Sequence, residues 1–105
     1  MFEEKSVLVD FFGDTPFIRV IDFLIENIGY DYTETEIAKG SGIDWSSLSK
    51  MLDKMERYGL IVAIRKEAEK LYRVNEKNSL VKDLLSLEMD LIDEYSKKEM
   101  VIPVK

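Results

Sequence analysis

The stretch GSGIDWSSLSKMLDKM, residues 40–55, concentrates side chains that can bind a polar ligand within a few helical turns. Serine hydroxyls both donate and accept hydrogen bonds, and lysine ammonium groups donate to anionic oxygens. Groups of this kind suit phosphate oxygens and the polar edges of nucleobases. The single tryptophan adds an apolar ring that can pack on a sugar or a methyl group. Binding, rather than bond making, is the chemistry that these residue types favour.

Composition argues against catalysis and against a metal site. The 105 residues include no cysteine and no histidine, which removes thiol nucleophiles, disulfides, structural zinc and the commonest general base. No acidic run has the spacing of a calcium loop. Asp90, Asp93 and Glu94 lie close together in the chain, but on a helix that spacing is typical of a solvated face. We therefore predict no enzymatic activity, no metal and no cofactor.

The negative charge of the chain is unevenly distributed. The net charge is −6, yet residues 1–32 hold seven acidic and two basic residues, while residues 33–74 hold seven and eight. The middle segment, which contains the serines, is thus the least acidic part. Hydrophobic residues make up 46% of the chain, enough for the modest core of one domain. No apolar run approaches the about 18 residues that span a bilayer, and the N-terminus does not resemble a signal peptide, so we expect a cytoplasmic protein.

Capping residues predict two helices ahead of the serine-containing segment. DTPFIRVIDFLIENIG opens with Asp14 or Thr15 as the cap, continues with Pro16 in the first turn, and ends at Gly29. Upstream, SVLVDFFG is short and apolar and ends at Gly13. We interpret it as a short helix, with a strand as the alternative.

Two further helices place the serines. Thr33 and Glu36 form a capping box that opens a short helix, which GSG ends. A second helix, capped by Asp44, is predicted from Trp45 to Tyr58. Its apolar residues recur at helical spacing, and the predicted core face comprises Leu48, Met51, Leu52 and Met55. The serines and lysines of this helix are left facing outward.

The remaining chain predicts a hairpin and a long helix. LIVAIRKEAEKLYRV alternates apolar and polar residues, which indicates two strands joined by KEAEK, a turn without an Asn-Gly signal. Asn78 then caps a helix over Ser79–Lys98. This helix carries two adjacent apolar stripes, wider than a peripheral helix needs for one core. We expect the surplus to pack on a second copy of the chain, with SVLVDFF contributing; the alternative is that both stripes pack within one molecule.

The segment TETEIAKGSGIDWSSLSKMLDKMERYGLIVAIRKEAEKLYRVN resembles the helix-turn-helix and wing of archaeal winged helix-turn-helix regulators related to the MarR and ArsR classes. FGDTPFIRVIDFL and NSLVKDLLSLEMDLID are also similar to that subgroup. The resemblance implies DNA-binding transcriptional regulation, usually by a homodimer. One departure is that the basic residues of the second helix are balanced by acidic ones: Lys50, Lys54 and Arg57 against Asp44, Asp53 and Glu56.

The expected fold is mainly α with a small β-hairpin wing. An N-terminal apolar segment over residues 1–13 supports the core or a dimer, and a winged helix-turn-helix DNA-binding domain covers residues 14–75. A C-terminal dimerisation helix covers residues 76–99, and residues 100–105 form a tail. We predict a sequence-specific double-stranded DNA-binding regulator acting as a homodimer. The alternative is a winged-helix protein–protein interaction module without DNA binding, and a small organic effector is left open.

Specific residues follow from this interpretation. In a helix-turn-helix, the second helix lies in the major groove, and a wing contacts the flanking phosphates or minor groove. The predicted DNA-binding residues are Trp45, Ser46, Ser47, Ser49, Lys50, Lys54, Arg65, Lys66, Lys70 and Arg73. The predicted dimer interface comprises Leu84, Leu87, Leu91, Ile92 and Tyr95. The helix start at Thr33 also suits a phosphate, but the capping box and adjacent glutamates favour a structural role there.

Overall fold

The protein is a winged helix-turn-helix of five helices and one antiparallel hairpin. A computed structural model describes the backbone of residues 6–100 and the side chains of residues 6–97; most of the predicted tail lies outside this range. No helix in the described range is long and apolar enough to cross a membrane. The elements are α1 (Val7–Phe12), α2 (Pro16–Glu26), α3 (Glu34–Ser41), α4 (Trp45–Arg57), β1 (Ile61–Lys66), β2 (Glu69–Val74) and α5 (Ser79–Met100). The order confirms the mainly α fold with a wing, and SVLVDFF forms a helix rather than a strand.

The core lies between the helix-turn-helix, the hairpin and the start of α5. Its buried side chains come from every element except α1, which packs its own Leu8 and Val9 between α2 and α5. The central cluster comprises Val20, Ile21, Leu24, Ile25, Ile37, Ala38, Leu48, Leu52, Met55, Ile61, Tyr72, Val74 and Val81. Because these side chains fix α3 against α4, the outer face of α4 has a defined orientation.

The helix ends differ from the predictions in detail. Thr15, not Asp14, caps α2, because its hydroxyl accepts from the Ile18 amide while Asp14 forms two hydrogen bonds with Arg19 at 2.6 and 2.9 Å. The helix ends at Glu26, before Gly29. The Thr33–Glu36 capping box is present with both of its hydrogen bonds.

Helix α3 ends within GSG, as predicted. Gly40 is still helical, and Gly42, with φ 71°, is the left-handed residue that ends the helix. A Cβ atom at Gly40 would overlap the ring of Phe23. Gly40 is therefore explained by the close approach of α2, which the sequence pattern did not reveal.

The wing is a tight hairpin rather than one with a five-residue turn. Six residue pairs run from Ile61 opposite Val74 to Lys66 opposite Glu69, which leaves a connection of only two residues, 67–68. Glu67 adopts a left-handed φ of 57°, and so takes the place of the glycine or asparagine that such turns favour. Backbone hydrogen bonds of 3.0 and 2.8 Å join Tyr32 and Tyr72, and these attach the hairpin to the α2–α3 loop.

Helix α5 begins on the core and then extends away from it. The Asn78 side chain accepts from the amides of Leu80 and Val81 at 2.7 and 3.3 Å, as predicted for the cap. The helix has 22 residues, two more than predicted, or about 33 Å at 1.5 Å per residue. The radius of gyration is 15.7 Å, compared with about 13 Å for a compact chain of this length. Much of the apolar surface of α5 is therefore free of the core.

Candidate nucleic-acid interface

The outer face of α4 is polar and accessible. Leu48, Leu52 and Met55 are 0%, 1% and 1% exposed, so they fix one side of the helix against the core. Ser46 and Lys50 follow at a spacing of four on the opposite side, where both are exposed. Met51, predicted to be a core residue, is half-buried at the edge. The amphipathic orientation inferred from the sequence is thus present in the fold.

Two of the serines on α4 are hydrogen-bonded to carboxylates. The Ser49 hydroxyl donates to Oε2 of Glu34, on the first turn of α3, over 2.6 Å. The Ser46 hydroxyl donates to Oδ2 of Asp44. Asp44 occupies the cap position, but its side chain accepts no backbone hydrogen bond. Asp44 is thus the N-cap residue, as predicted, but one of its oxygens accepts from Ser46 and neither accepts from a backbone amide of α4.

The other predicted residues of α4 lie on its flanks or make contacts within the protein. Trp45 is 56% exposed, and Ser47 is also exposed, beside a surface concavity that Pro16 and Gly42 line. Lys54 lies toward α2, with Nζ 4.9 Å from the centre of the Phe17 ring, a cation–π distance. Helical geometry places Trp45 and Lys54 on opposite flanks of the polar face.

The hairpin carries the four remaining predicted DNA-binding residues. Arg65 and Lys66 at the end of β1 are exposed, and neither side chain forms a hydrogen bond or ion pair among the described residues. The Nζ of Lys70 lies 5.4 Å from the centre of the Tyr72 ring. Interaction with the Tyr72 side chain raises the pKa of Lys70.

Arg73 has a structural partner that the sequence did not reveal. Its guanidinium donates to both carboxylate oxygens of Asp31, at 2.6 and 3.1 Å. The hydrogen bond to Arg73 is the main cause that lowers the pKa of Asp31. Together with the Tyr32–Tyr72 bridge, this pair holds the hairpin against the α2–α3 loop. Arg73 is predicted to bind DNA, but in this fold its guanidinium is already engaged.

Three carboxylates meet on the opposite side of the molecule, where α2 packs against α5. Oxygens of Asp22, Glu26 and Glu88 all lie within 4.8 Å of one another, an arrangement able to hold a cation. Burial, a hydrogen bond with Glu26 and the charges of Glu26 and Asp22 raise the pKa of Glu88 to about 7. Burial also raises the pKa of Asp22, one of whose oxygens has no hydrogen-bond partner among the described residues. This cluster is not evident from the sequence, because Glu88 is distant in the chain from Asp22 and Glu26. Asp90, Asp93 and Glu94 are exposed, as predicted.

The predicted dimer residues divide into two groups. Leu84 is partly buried and packs on the core, and Leu87 and Leu91 are half-buried. Ile92 and Tyr95 are 45% and 60% exposed. Further large apolar side chains exposed on α1 and α5 are Phe11, Phe12, Leu80 and Met89.

Comparison with solved structures identifies the same architecture in regulators. A point mutant of ZitR from Lactococcus lactis superposes with a TM-score of 0.64 at 19% identity, over 81% of this chain and 61% of that one. A MarR family transcriptional regulator from Silicibacter pomeroyi gives 0.57 at 21% identity, over 76% and 57%. A homodimeric winged helix-turn-helix DNA-binding domain from Mycobacterium bovis, a possible ArsR-family regulator, gives 0.61 at 18% identity, over 93% and 86%.

These likenesses concern the fold. The chain spans 61% of the length of the ZitR chain, and no family model or curated protein sequence matches it. A further ZitR structure, of a different point mutant, is a complex with DNA; it superposes with a TM-score of 0.58 at 22% identity, over 75% of this chain and 57% of that one. The archaeal subgroup inferred from the sequence stays a prediction.

Proposed function

We propose that this protein binds double-stranded DNA sequence-specifically as a homodimer and regulates transcription by occupying promoter DNA. Helix α4 enters the major groove, and the tip of the wing contacts the flanking phosphates. The observation that carries the proposal is the outer face of α4, where Ser46, Ser49 and Lys50 are exposed while the opposite side is sealed in the core. DNA-binding winged helices of the same architecture, one of them solved with DNA, support it.

The charge distribution favours one approach to the duplex. The exposed cations Lys50, Arg65 and Lys66 lie on α4 and on the hairpin that follows it. Each phosphate that such a cation neutralises releases condensed counterions, which favours binding. The acidic residues of the N-terminal segment and of α5 repel the duplex, and thereby restrict contact to α4 and the wing.

A second copy of the chain is the proposed occupant of the apolar face of α5. Met89, Ile92 and Tyr95 recur at spacings of three along the part of α5 that extends from the core, and each is at least 45% exposed. A monomer rarely exposes a contiguous stripe of this kind. A self-complementary interface is the commonest way to cover it, and a two-fold dimer presents two α4 helices to the two halves of a palindrome.

One observation favours a second candidate function, a protein-binding winged helix. Trp45 and Tyr58, at the two ends of α4, are 56% and 62% exposed, and exposed aromatic rings are common anchors at protein interfaces. Such an interface would depend on apolar burial, which salt does not screen. The two functions therefore differ in their response to ionic strength.

Selection of bound sequences from random duplexes, at two ionic strengths, tests the proposal. We expect recovery of a palindrome, with enrichment that weakens at the higher ionic strength. A combined Lys50→Ala, Arg65→Ala and Lys66→Ala variant should lose gel-shift binding to that palindrome and keep its thermal transition, because none of the three side chains is buried or paired within the part of the chain that the structure describes. Arg73 is left unchanged in this variant, because its loss would also remove the ion pair with Asp31.

A matched control removes the same charge elsewhere. Lys77→Ala, Lys82→Ala and Lys97→Ala together delete three exposed cations on α5 and just before it. This variant should retain binding close to that of the unmodified protein. Equal loss in both variants would indicate a nonspecific charge effect, and unaltered binding in the first would refute the assignment of this surface.

A further inference from the structure

The serines on the outer face of α4 donate their hydroxyl protons to carboxylates of the same protein. Ser49 Oγ lies 2.6 Å from Oε2 of Glu34, and the Ser46 hydroxyl donates to Oδ2 of Asp44. An ionised carboxylate can only accept hydrogen bonds, so the serine is the donor in each pair. Both serines are nevertheless exposed residues, and donating the proton leaves the two lone pairs of each hydroxyl oxygen available to a ligand.

This arrangement removes the usual ambiguity of serine. A free hydroxyl has one proton and two lone pairs, and it rotates to donate or to accept as its partner requires. When a carboxylate holds the proton, the outward oxygen can only accept. Rotating the proton toward a new acceptor would break a hydrogen bond to a charged group, which is stronger than a bond between neutral groups.

We propose that Ser46 and Ser49 act as hydrogen-bond acceptors toward base edges, and so make α4 prefer bases that present an exocyclic amino group in the major groove. The partners would be adenine N6 and cytosine N4, in preference to guanine O6 and thymine O4. The inference rests on the proposed function and names the bases that this surface selects. Each base pair presents one amino group in the major groove, so the preference concerns which strand carries it.

Neighbouring side chains reinforce the acceptor character of this surface. Asp53 follows Ser46 and Ser49 on the same face of α4, is exposed, and presents carboxylate oxygens. Lys50 follows Ser49 in the chain, lies at the edge of the face next to Ser46, and is a donor that suits guanine O6 and N7 or a phosphate. The face therefore combines acceptors with one donor at its edge, and this pattern fixes the orientation of the base pairs it can match.

Two substitutions separate the acceptor role of Ser49 from the charge of Glu34. Ser49→Ala removes the oxygen, and Glu34→Ala frees the Ser49 proton so that the hydroxyl can also donate. Neither change reaches the core, and the capping box of α3 uses Thr33 and Glu36. Glu56→Ala is the matched control, because it deletes an exposed carboxylate from α4 without touching a serine.

The assay selects sequences from random duplexes with the full chain and each variant, and then measures Kd for the recovered palindrome and for duplexes with single base pairs reversed. For the unmodified protein, one reversal should weaken binding about tenfold at the pair that Ser49 contacts. Ser49→Ala should bring the ratio of the two Kd values close to one, because the variant binds the original duplex less well. Glu34→Ala should also bring it close to one, because that variant binds the reversed duplex better. Glu56→Ala should leave the ratio unchanged.

The outcomes separate this inference from the function on which it rests. If the unmodified protein recovers no sequence from the random pool, the proposed function fails, and the base preference fails with it. If a palindrome is recovered but Ser49→Ala and Glu34→Ala both leave every reversal ratio unchanged, the acceptor assignment alone is overturned. A preference for guanine or thymine at the pair that responds to Ser49→Ala would also overturn it.

Discussion

Replacing Glu88 with glutamine should make the stability of the protein less sensitive to pH. Glu88 lies on α5 against Asp22 and Glu26 of α2, and burial together with these two neighbours raises its pKa from 4.5 to about 7. The folded protein therefore keeps this proton at a pH where the unfolded chain has released it. For a group of this kind, stability declines as the pH rises from about 4.5 to about 7 and is constant above that window.

The expected size of the effect follows from the shift. At about 1.36 kcal/mol per unit, a shift from 4.5 to about 7 sets a ceiling of about 3 kcal/mol. Glu88 is only partly buried, and solvent screening reduces this to about 1 kcal/mol at pH 8. For a domain of this size, about 1 kcal/mol corresponds to about 4–8 °C in Tm. Glu88→Gln carries no charge, so it should be more stable than the unmodified protein at pH 8 and similar at pH 4.5.

Thermal unfolding followed by circular dichroism between pH 4.5 and pH 8 measures this difference. Asp90→Asn is the matched control, because it neutralises an exposed carboxylate two residues away on the same helix. The control should show the same pH dependence as the unmodified protein. Parallel curves for Glu88→Gln and the unmodified protein would show that Glu88 does not face the α2 carboxylates, and would refute the packing of α5 described above.

Two further predictions test the α2–α3 contact and the dimer. Gly40→Ala should destabilise the protein by about 1–3 kcal/mol in urea unfolding, because the new methyl group would overlap the Phe23 ring; an unchanged or raised stability would show that α2 and α3 are farther apart. Met89→Glu with Ile92→Glu should convert the proposed dimer to a monomer in sedimentation experiments, because four carboxylates would face one another across a two-fold axis. A dimer that survives both changes would place the interface elsewhere.

Local signals in the sequence were sufficient for the helices and their caps. Three of these signals depend only on residues close together in the chain, and all three are present in the fold. They are the Thr33–Glu36 capping box, the Asn78 cap and the helical spacing of Leu48, Leu52 and Met55. The two-residue wing turn was missed because Glu67, rather than a glycine, occupies the left-handed position.

Contacts between distant elements could not be predicted in this way. Arg73 meets Asp31 across a loop, and Ser49 meets Glu34 across the helix-turn-helix, so neither pair lies at a helical or strand spacing. The predicted outward face of α4 was correct, since one helix determines it. The hydrogen bonds that its serines donate were not predicted. The partner of Ser49 lies on α3, and Asp44, the partner of Ser46, was expected to cap α4.

The dependence of DNA affinity on salt tests the central claim most directly. Lys50, Arg65 and Lys66 of two protomers offer six phosphate contacts, so log K for the selected palindrome should fall with log salt concentration with a slope of about −5. Fluorescence anisotropy at several salt concentrations measures this slope. A steep linear decline would agree with DNA recognition by α4 and the wing, and a slope near zero would contradict it.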